Sequence, residues 1–378
     1  MKPILAAVAA FSLSAGLASA QTFELPSQLS WTAYDTGSAG YNQAVAVGAA
    51  LQDAAGINLR VLPGKNDVSR TEPLRQGRVQ FSATGVGGSF MAQEGAFDFG
   101  AENWGPQPVR VLLANNGGAI NLAVGVAGDL GIETYADLKG KRVAYIVGAP
   151  ALNVNTEAYL AYGGLTWDDV TRVDFGGFGA SWTGLIEGQV DAAFAATNSG
   201  NAYEAAAGPR GLFWPPIDPE NAEGLAAMQE IAPFFLPNKA RVGANIDGTD
   251  GYQGAGYPYP VLVATAETET DLVYNMTKAM VELFPAYDGK APGIGGWALD
   301  KQEMEWVVPY HEGTIQYFKE VGVWTDEAQA NNDRLIERQA VLKAAWDALK
   351  AEAPADWEAA WSETRRKALA DNGFEVVF

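Results

Sequence analysis

Between residues 21 and 199 the chain twice alternates short apolar strands with helices, and that repetition restricts its folds more than any other feature. The first run reads as a strand at 29–33, a helix at 41–54 and a strand at 57–62. A short helix near 69–76 and strands at 80–84 and 109–114 complete it. The second run has strands at 121–126, 143–147, 173–175 and 190–195, with helices at 155–162 and 181–187 between them. Strands that alternate with helices build largely parallel sheets covered on both faces. Two such runs predict two similar α/β lobes.

In open α/β sheets, ligands sit beyond the carboxyl ends of strands, where helix N-termini present unpaired N–H groups and partial positive charge. Four strand ends here are rich in Gly, Ser, Thr and Asn: 36–41, 84–88, 148–155 and 197–199. If the lobes face each other, all four converge on one cleft. Thr36, Gly37, Ser38 and Tyr41 then offer hydroxyls and backbone N–H groups to an acidic ligand, or form an ordinary capped turn. Arg70 either pairs with a carboxylate or is a solvated surface arginine. Thr84, Gly85 and Val86 supply a further wall. From the second lobe come Asn153, Asn155 and Thr156, read as a helix start, with Ser181 and Trp182, and with Thr197 and Asn198. For these the alternatives are capping and core packing. Tyr257, with Tyr252 and Tyr259, lines the cleft or anchors a Gly/Pro loop.

Residues 200–256 are the least regular, with Pro215, Pro216, Pro219, Pro233 and Pro237 and a helix expected near 222–231 before a long loop after Asn238. The expected organisation is lobe 1 at 21–115, lobe 2 at 116–256, a return to lobe 1 at 257–322 and a C-terminal helical extension at 323–378. The hinge is expected near 114–121 and 254–260. Four tryptophans, Trp324, Trp346, Trp357 and Trp361, give the extension a buried face.

Residues 1–20 read as a secretory signal: Lys2, an apolar stretch from Ile4 to Leu17 too short to span a bilayer, and an Ala-Ser-Ala cleavage site ending at Ala20. The chain contains no Cys, which removes disulfides, thiolate catalysis and Cys-bound metals. An exported, cysteine-free protein fits a bacterial periplasm. The net charge of −20 argues against nucleic acid and anionic membranes as partners.

Catalytic apparatus is sparse. His311 is the only histidine and no Gly-x-Ser-x-Gly elbow accompanies it. The His-Glu-x-x-His zinc motif and the Gly-x-x-x-x-Gly-Lys-Ser/Thr phosphate loop are missing, and Gly85-Val-Gly87 does not continue as a dinucleotide fingerprint. His311 reads as structural. No cofactor and no metal are expected. The balance favours holding a solute over transforming one.

Five stretches resemble the TAXI family of solute receptors of tripartite ATP-independent periplasmic (TRAP) transporters. They are Thr36-Gly-Ser-Ala-Gly-Tyr41, Leu74 to Phe81, Ala136 to Ala144 with Gly148-Ala-Pro150, Leu185 to Phe194, and Pro309-Tyr-His-Glu-Gly to Gly322. The resemblance covers residues 29–322. It departs from the family at Glu312, where Pro is usual, and in the long stretches 200–256 and beyond 322. The resemblance implies a periplasmic binding protein type II fold with two Rossmann-like lobes and a hinge. It further implies a small organic anion as ligand (a dicarboxylate, glutamate or 2-oxoglutarate) and a TRAP permease as partner. The alternatives are the binding protein of an ABC importer and, in another class, an exported α/β hydrolase or lyase.

Overall fold

The computed structural model describes residues 22–378; the expected signal segment lies outside the described residues. The first sheet orders its strands β2-β1-β3-β12-β4, from β1 (Gln28–Tyr34), β2 (Asn58–Gly64), β3 (Phe81–Thr84), β4 (Val109–Ala114) and β12 (Val261–Thr265). Strands β1, β2 and β3 run parallel, and β12 returns antiparallel between β3 and β4. The second sheet is ordered β7-β6-β8-β5-β9. Its strands are β5 (Leu122–Ala127), β6 (Arg142–Ile146), β7 (Thr171–Phe175), β8 (Ala192–Ala196) and β9 (Leu212–Phe213). Here β6 is parallel to β7 and β8, and β5 is antiparallel to β8. Strands such as β5 and β8 are buried along their whole length because both faces are covered, so they read as continuous apolar runs.

The chain crosses between the sheets twice, after β4 and just before β12. Each sheet and its helices form a lobe. Lobe 1 carries α1 (Ala39–Ala55), α2 (Asp67–Arg75) and α3 (Ala92–Glu94). Lobe 2 carries α4 (Pro150–Tyr162), α5 (Phe178–Glu187), α6 (Gly200–Ala207) and α7 (Ala222–Ile231). The loop expected after Asn238 runs over 241–251 and joins β10 (Leu236–Ala240) to β11 (Tyr252–Gly256), which pair as an antiparallel ribbon. After β12 come α8 (Thr270–Glu282), α9 (Phe284–Tyr287) and α10 (Glu312–Glu320) on lobe 1. This is a mixed α/β, two-lobed architecture with C-terminal helices added.

Those helices are α11 (Asp326–Glu352) and α12 (Trp357–Asp371). Trp346 meets Trp357 and Trp361 edge-on at 4.7 Å, so the tryptophans knit the two helices together. The pair docks on lobe 1: Trp357 and Trp361 donate their indole N–H groups to the carbonyls of Gly100 and Gly95. Glu94, fully buried, takes both ends of the Arg338 guanidinium at 2.7 Å and Arg365 at 3.2 Å.

Candidate functional site between the lobes

Strand β1 ends at Tyr34, and the turn 35–38 leads into α1. Gly37 adopts φ +87°, a conformation an L side chain rarely takes, and an added Cβ would also press on the Asn201 side chain. Ser38 caps α1, its Oγ accepting from the Tyr41 N–H at 3.2 Å. Strand β2 ends at Gly64 and is followed by α2. The helix starts earlier than the expected 69–76: Asn66 is the N-cap, and Asn66 and Ser69 exchange side-chain and backbone bonds in a capping box. The earlier cap places Asp67 and Arg70 one turn apart at the head of α2.

Both are buried, and Arg70 Nη2 donates to Asp67 Oδ1 at 2.7 Å. The guanidinium also lies 4.4 Å above the Tyr34 ring. Burial raises the Asp67 carboxyl above its usual range, against the opposing pull of Arg70 and of the Ala151 N–H. Burial raises the Tyr34, Tyr257 and Tyr259 hydroxyls as well, which keeps all three protonated donors at neutral pH.

The lobes are shut against each other. The Ala151 N–H donates to Asp67 Oδ2 at 2.9 Å and the Gly179 N–H to Asp35 Oδ2 at 3.0 Å. Lobe 1 carboxylates therefore occupy the N-terminal turns of α4 and α5, where the helix dipole favours negative charge. Backbone bonds reinforce the closure: Gly200 N–H to the Gly37 carbonyl, Phe178 N–H to Lys65 and Val68 N–H to Gly148. What remains between the lobes is a cavity of about 30 Å³, lined among others by Tyr34, Asp67, Arg70, Phe178, Tyr257 and Tyr259. Two buried donors there, Arg70 Nε and the Tyr34 hydroxyl, have no hydrogen-bond partner among the described residues.

Of the sequence candidates, Ser38, Arg70, Gly85, Val86 and Tyr257 line this cavity. Gly37 serves the closure through its carbonyl, Thr36 is exposed and Tyr41 is half-buried against the core. Thr84 is buried in β3, with its hydroxyl turned to the Gly85 carbonyl.

The lobe 2 candidates behave differently. Helix α4 begins at Pro150, a residue preorganised for the first helical position. Asn153, Asn155 and Thr156 therefore lie inside the helix, not at its start. Asn153 clips both backbone groups of Ile146, Thr156 bonds back to Leu152, and Asn155 donates to the Tyr257 hydroxyl at 2.8 Å. Helix α5 begins at Phe178, so Ser181 is internal and bonds back to the Phe178 carbonyl rather than capping. Trp182 is fully buried and donates to the Phe194 carbonyl, which makes it core. Thr197 donates to Val242, and Asn198 donates across to Pro292 of lobe 1. Tyr252 is bonded within lobe 2 to Pro215.

Sequence reasoning did not single out Tyr34, Asp35 or Asp67. The signal for Asp67 was its position three residues before Arg70, the spacing of a helical ion pair. Among the described residues, no group of three or more His, Asp or Glu side chains is placed to hold a metal ion, and no helix is long and apolar enough to cross a membrane.

A family model described as "NMT1-like family" matches residues 33–322, which is most of the chain. The chain belongs to the NMT1-like family. The match takes in both lobes and both crossings, and it ends at Gly322, where the C-terminal extension begins. No curated protein matches the chain. Among solved structures, one similar to this family member is the alkanesulfonate-binding protein from Xanthomonas axonopodis pv. citri bound to MOPS. It is 15% identical with a TM-score of 0.44, over 88% of this chain and 96% of that one. Another is an ABC transporter/periplasmic binding protein from Brucella ovis with glutathione bound, 13% identical with a TM-score of 0.44, over 69% and 70%. A third is an amino acid ABC transporter substrate-binding protein from Streptococcus pneumoniae bound to L-arginine, 13% identical with a TM-score of 0.43, over 70% and 90%.

Proposed function

We propose that the chain is an exported solute-binding receptor that closes its lobes over one small organic anion and delivers it to a membrane permease. The observation that carries this reading is the pair of unpartnered buried donors, Arg70 Nε and the Tyr34 hydroxyl, in a cavity enclosed by both lobes. A carboxylate or sulfonate accepts both bonds and removes the cost of leaving them unmade. The neighbouring Nη2 of the guanidinium already answers Asp67. A single acidic group therefore suits the site better than the dicarboxylate that the family resemblance implies, because a second would sit near Asp67 without a cation of its own.

Closure follows from contacts that join the lobes, with ligand binding shifting an open–closed equilibrium. The buried groups are spent on holding lobes and ligand, which favours a receptor over the hydrolase or lyase reading. Two permease classes remain as proposals: an ABC importer, the kind that two of the similar proteins above serve, and the TRAP transporter expected from the sequence. At these scores and identities, the likeness does not choose between them. Copurification from membranes with an ATPase subunit, or with an ion-driven permease, separates the two.

The test of the receptor reading is a thermal-shift panel of carboxylates, sulfonates and amino acids on the chain without residues 1–20. We expect at least one anion to raise the melting temperature and Arg70→Gln to abolish that shift. A panel without any response, or turnover of a substrate abolished by replacing one carboxylate, would overturn the proposal.

A further inference from the structure

The cavity between the lobes is only about 30 Å³, near the share of one water molecule and too small for an organic solute. Next to it lies a second cavity of about 760 Å³, within the usual range of about 300–1,000 Å³ for ligand sites. Val86 and Tyr257 line both. The two spaces are therefore adjacent, with Tyr257 at their boundary. Its hydroxyl is held by the Asn155 amide at 2.8 Å, and its ring packs edge-on against Phe234, which also lines the larger cavity. Tyr257 thus stands between the two spaces, held by one side-chain hydrogen bond and by ring contacts to Phe234 and Phe235. Tyr257 belongs to the second crossing between the lobes, where movement is concentrated when lobes open.

The larger cavity is mostly apolar, with Asn115, Asn116, Asn238, Asn331 and Glu375 among its polar lining. Phe90 comes from lobe 1, Phe234 and Leu236 from lobe 2, and Leu335 and Val377 from the C-terminal extension. Arg338 lines it too, but its guanidinium is spent on Glu94 and the Glu375 carbonyl, so it offers no free cation to a second acidic group. The extension lies beyond the part of the chain that matches the family model, and it supplies one wall of this space.

We infer that the solute is an anionic amphiphile, with its acidic head at Arg70 and Tyr34 and its apolar tail running past Tyr257 into the cavity walled by the C-terminal extension. This rests on the receptor reading above. It adds a chemical class of ligand and gives the extension a function: setting the length of tail the site accepts.

The test is a series of straight-chain monocarboxylates from butanoate to decanoate, measured by calorimetry on the chain without residues 1–20. Affinity is expected to rise about fourfold per methylene, the factor for burying one such group. Leu335→Trp, which fills the cavity from α11, should flatten the series at its long end and leave butanoate unchanged. Val307→Trp, at a more exposed lining position, is a second filling variant should the first not fold. Equal affinities along the series, or a slope that survives both substitutions, would overturn the amphiphile and leave the receptor reading intact. If no monocarboxylate binds while amino acids or dicarboxylates do, the amphiphile falls and the receptor stands. If nothing in the panel binds, both fall.

Discussion

Asp67 of α2 accepts a 2.9 Å hydrogen bond from the Ala151 N–H at the head of α4, and with its other oxygen it holds Arg70 at 2.7 Å. One carboxylate thus latches the lobes together and orients the cation proposed to meet the ligand. On the proposed reading, closure and recognition are coupled through it. Movement of α4 away from α2 removes a neutralising contact from Asp67, and Arg70 then becomes its main compensation.

Replacing Asp67 by Ala leaves the Arg70 guanidinium buried without its carboxylate. Removing one partner of a buried pair costs about 3–5 kcal/mol. We expect urea unfolding to report a loss of that size, and X-ray scattering to report a larger radius of gyration as the latch to α4 is lost. Asp35→Ala removes a half-buried carboxylate with no basic partner and should cost about 1 kcal/mol. Equal losses for the two variants would refute the special place given to Asp67.

Glu94 is the anchor of the C-terminal helices. Glu94→Gln leaves Arg338 and Arg365 sharing a neutral amide in a buried setting. The expected loss is again about 3–5 kcal/mol. Proteolysis should cut the 323–378 segment faster than in the parent, while the lobes keep their resistance. An unchanged cleavage pattern would mean that the tryptophan cluster alone holds the extension.

Gly313 lies in the first turn of α10 against α8. A Cβ there would stand 2.3 Å from the Thr270 carbonyl oxygen and 2.6 Å from the Tyr274 nitrogen, both backbone atoms that cannot turn away. Gly313→Ala should therefore push the two helices apart and cost about 1–3 kcal/mol or more, as overpacking does. A melting temperature equal to the parent's would show that the helices yield more freely than this contact implies.

The two lobes were legible because strand and helix periods alternate visibly and the buried strands are continuous apolar runs. The closing contacts were not. Asp35 and Asp67 look like ordinary turn and helix-start acids, and nothing local marks that each meets a helix of the other lobe more than 80 residues away. Hydroxyl-rich strand ends misled in lobe 2 for a related reason. Asn153, Thr156 and Ser181 satisfy backbone groups of their own neighbourhood, which the same residue types do as readily as they hold a ligand. Arg70 was singled out because an arginine one turn into a helix after a strand stands out, but its neutralising partner three residues earlier was passed over.

His311 gives a pH signature. It caps α10 with Nδ1 accepting the Gly313 N–H at 3.1 Å, and burial pushes its pKa down to about 4 from 6.5. With the folded value below the unfolded one, the unfolded chain binds more protons between those limits. Stability from the neutral ring is full above about pH 6.5 and is lost as the pH falls toward 4. The shift corresponds to about 3 kcal/mol. His311→Asn keeps an acceptor at the cap but removes the titration. The difference in unfolding free energy between parent and variant should therefore shift against the parent by about that amount from pH 7 to pH 4, read by urea titrations at each pH. Parallel curves would show that the ring reaches solvent or a partner when it is charged.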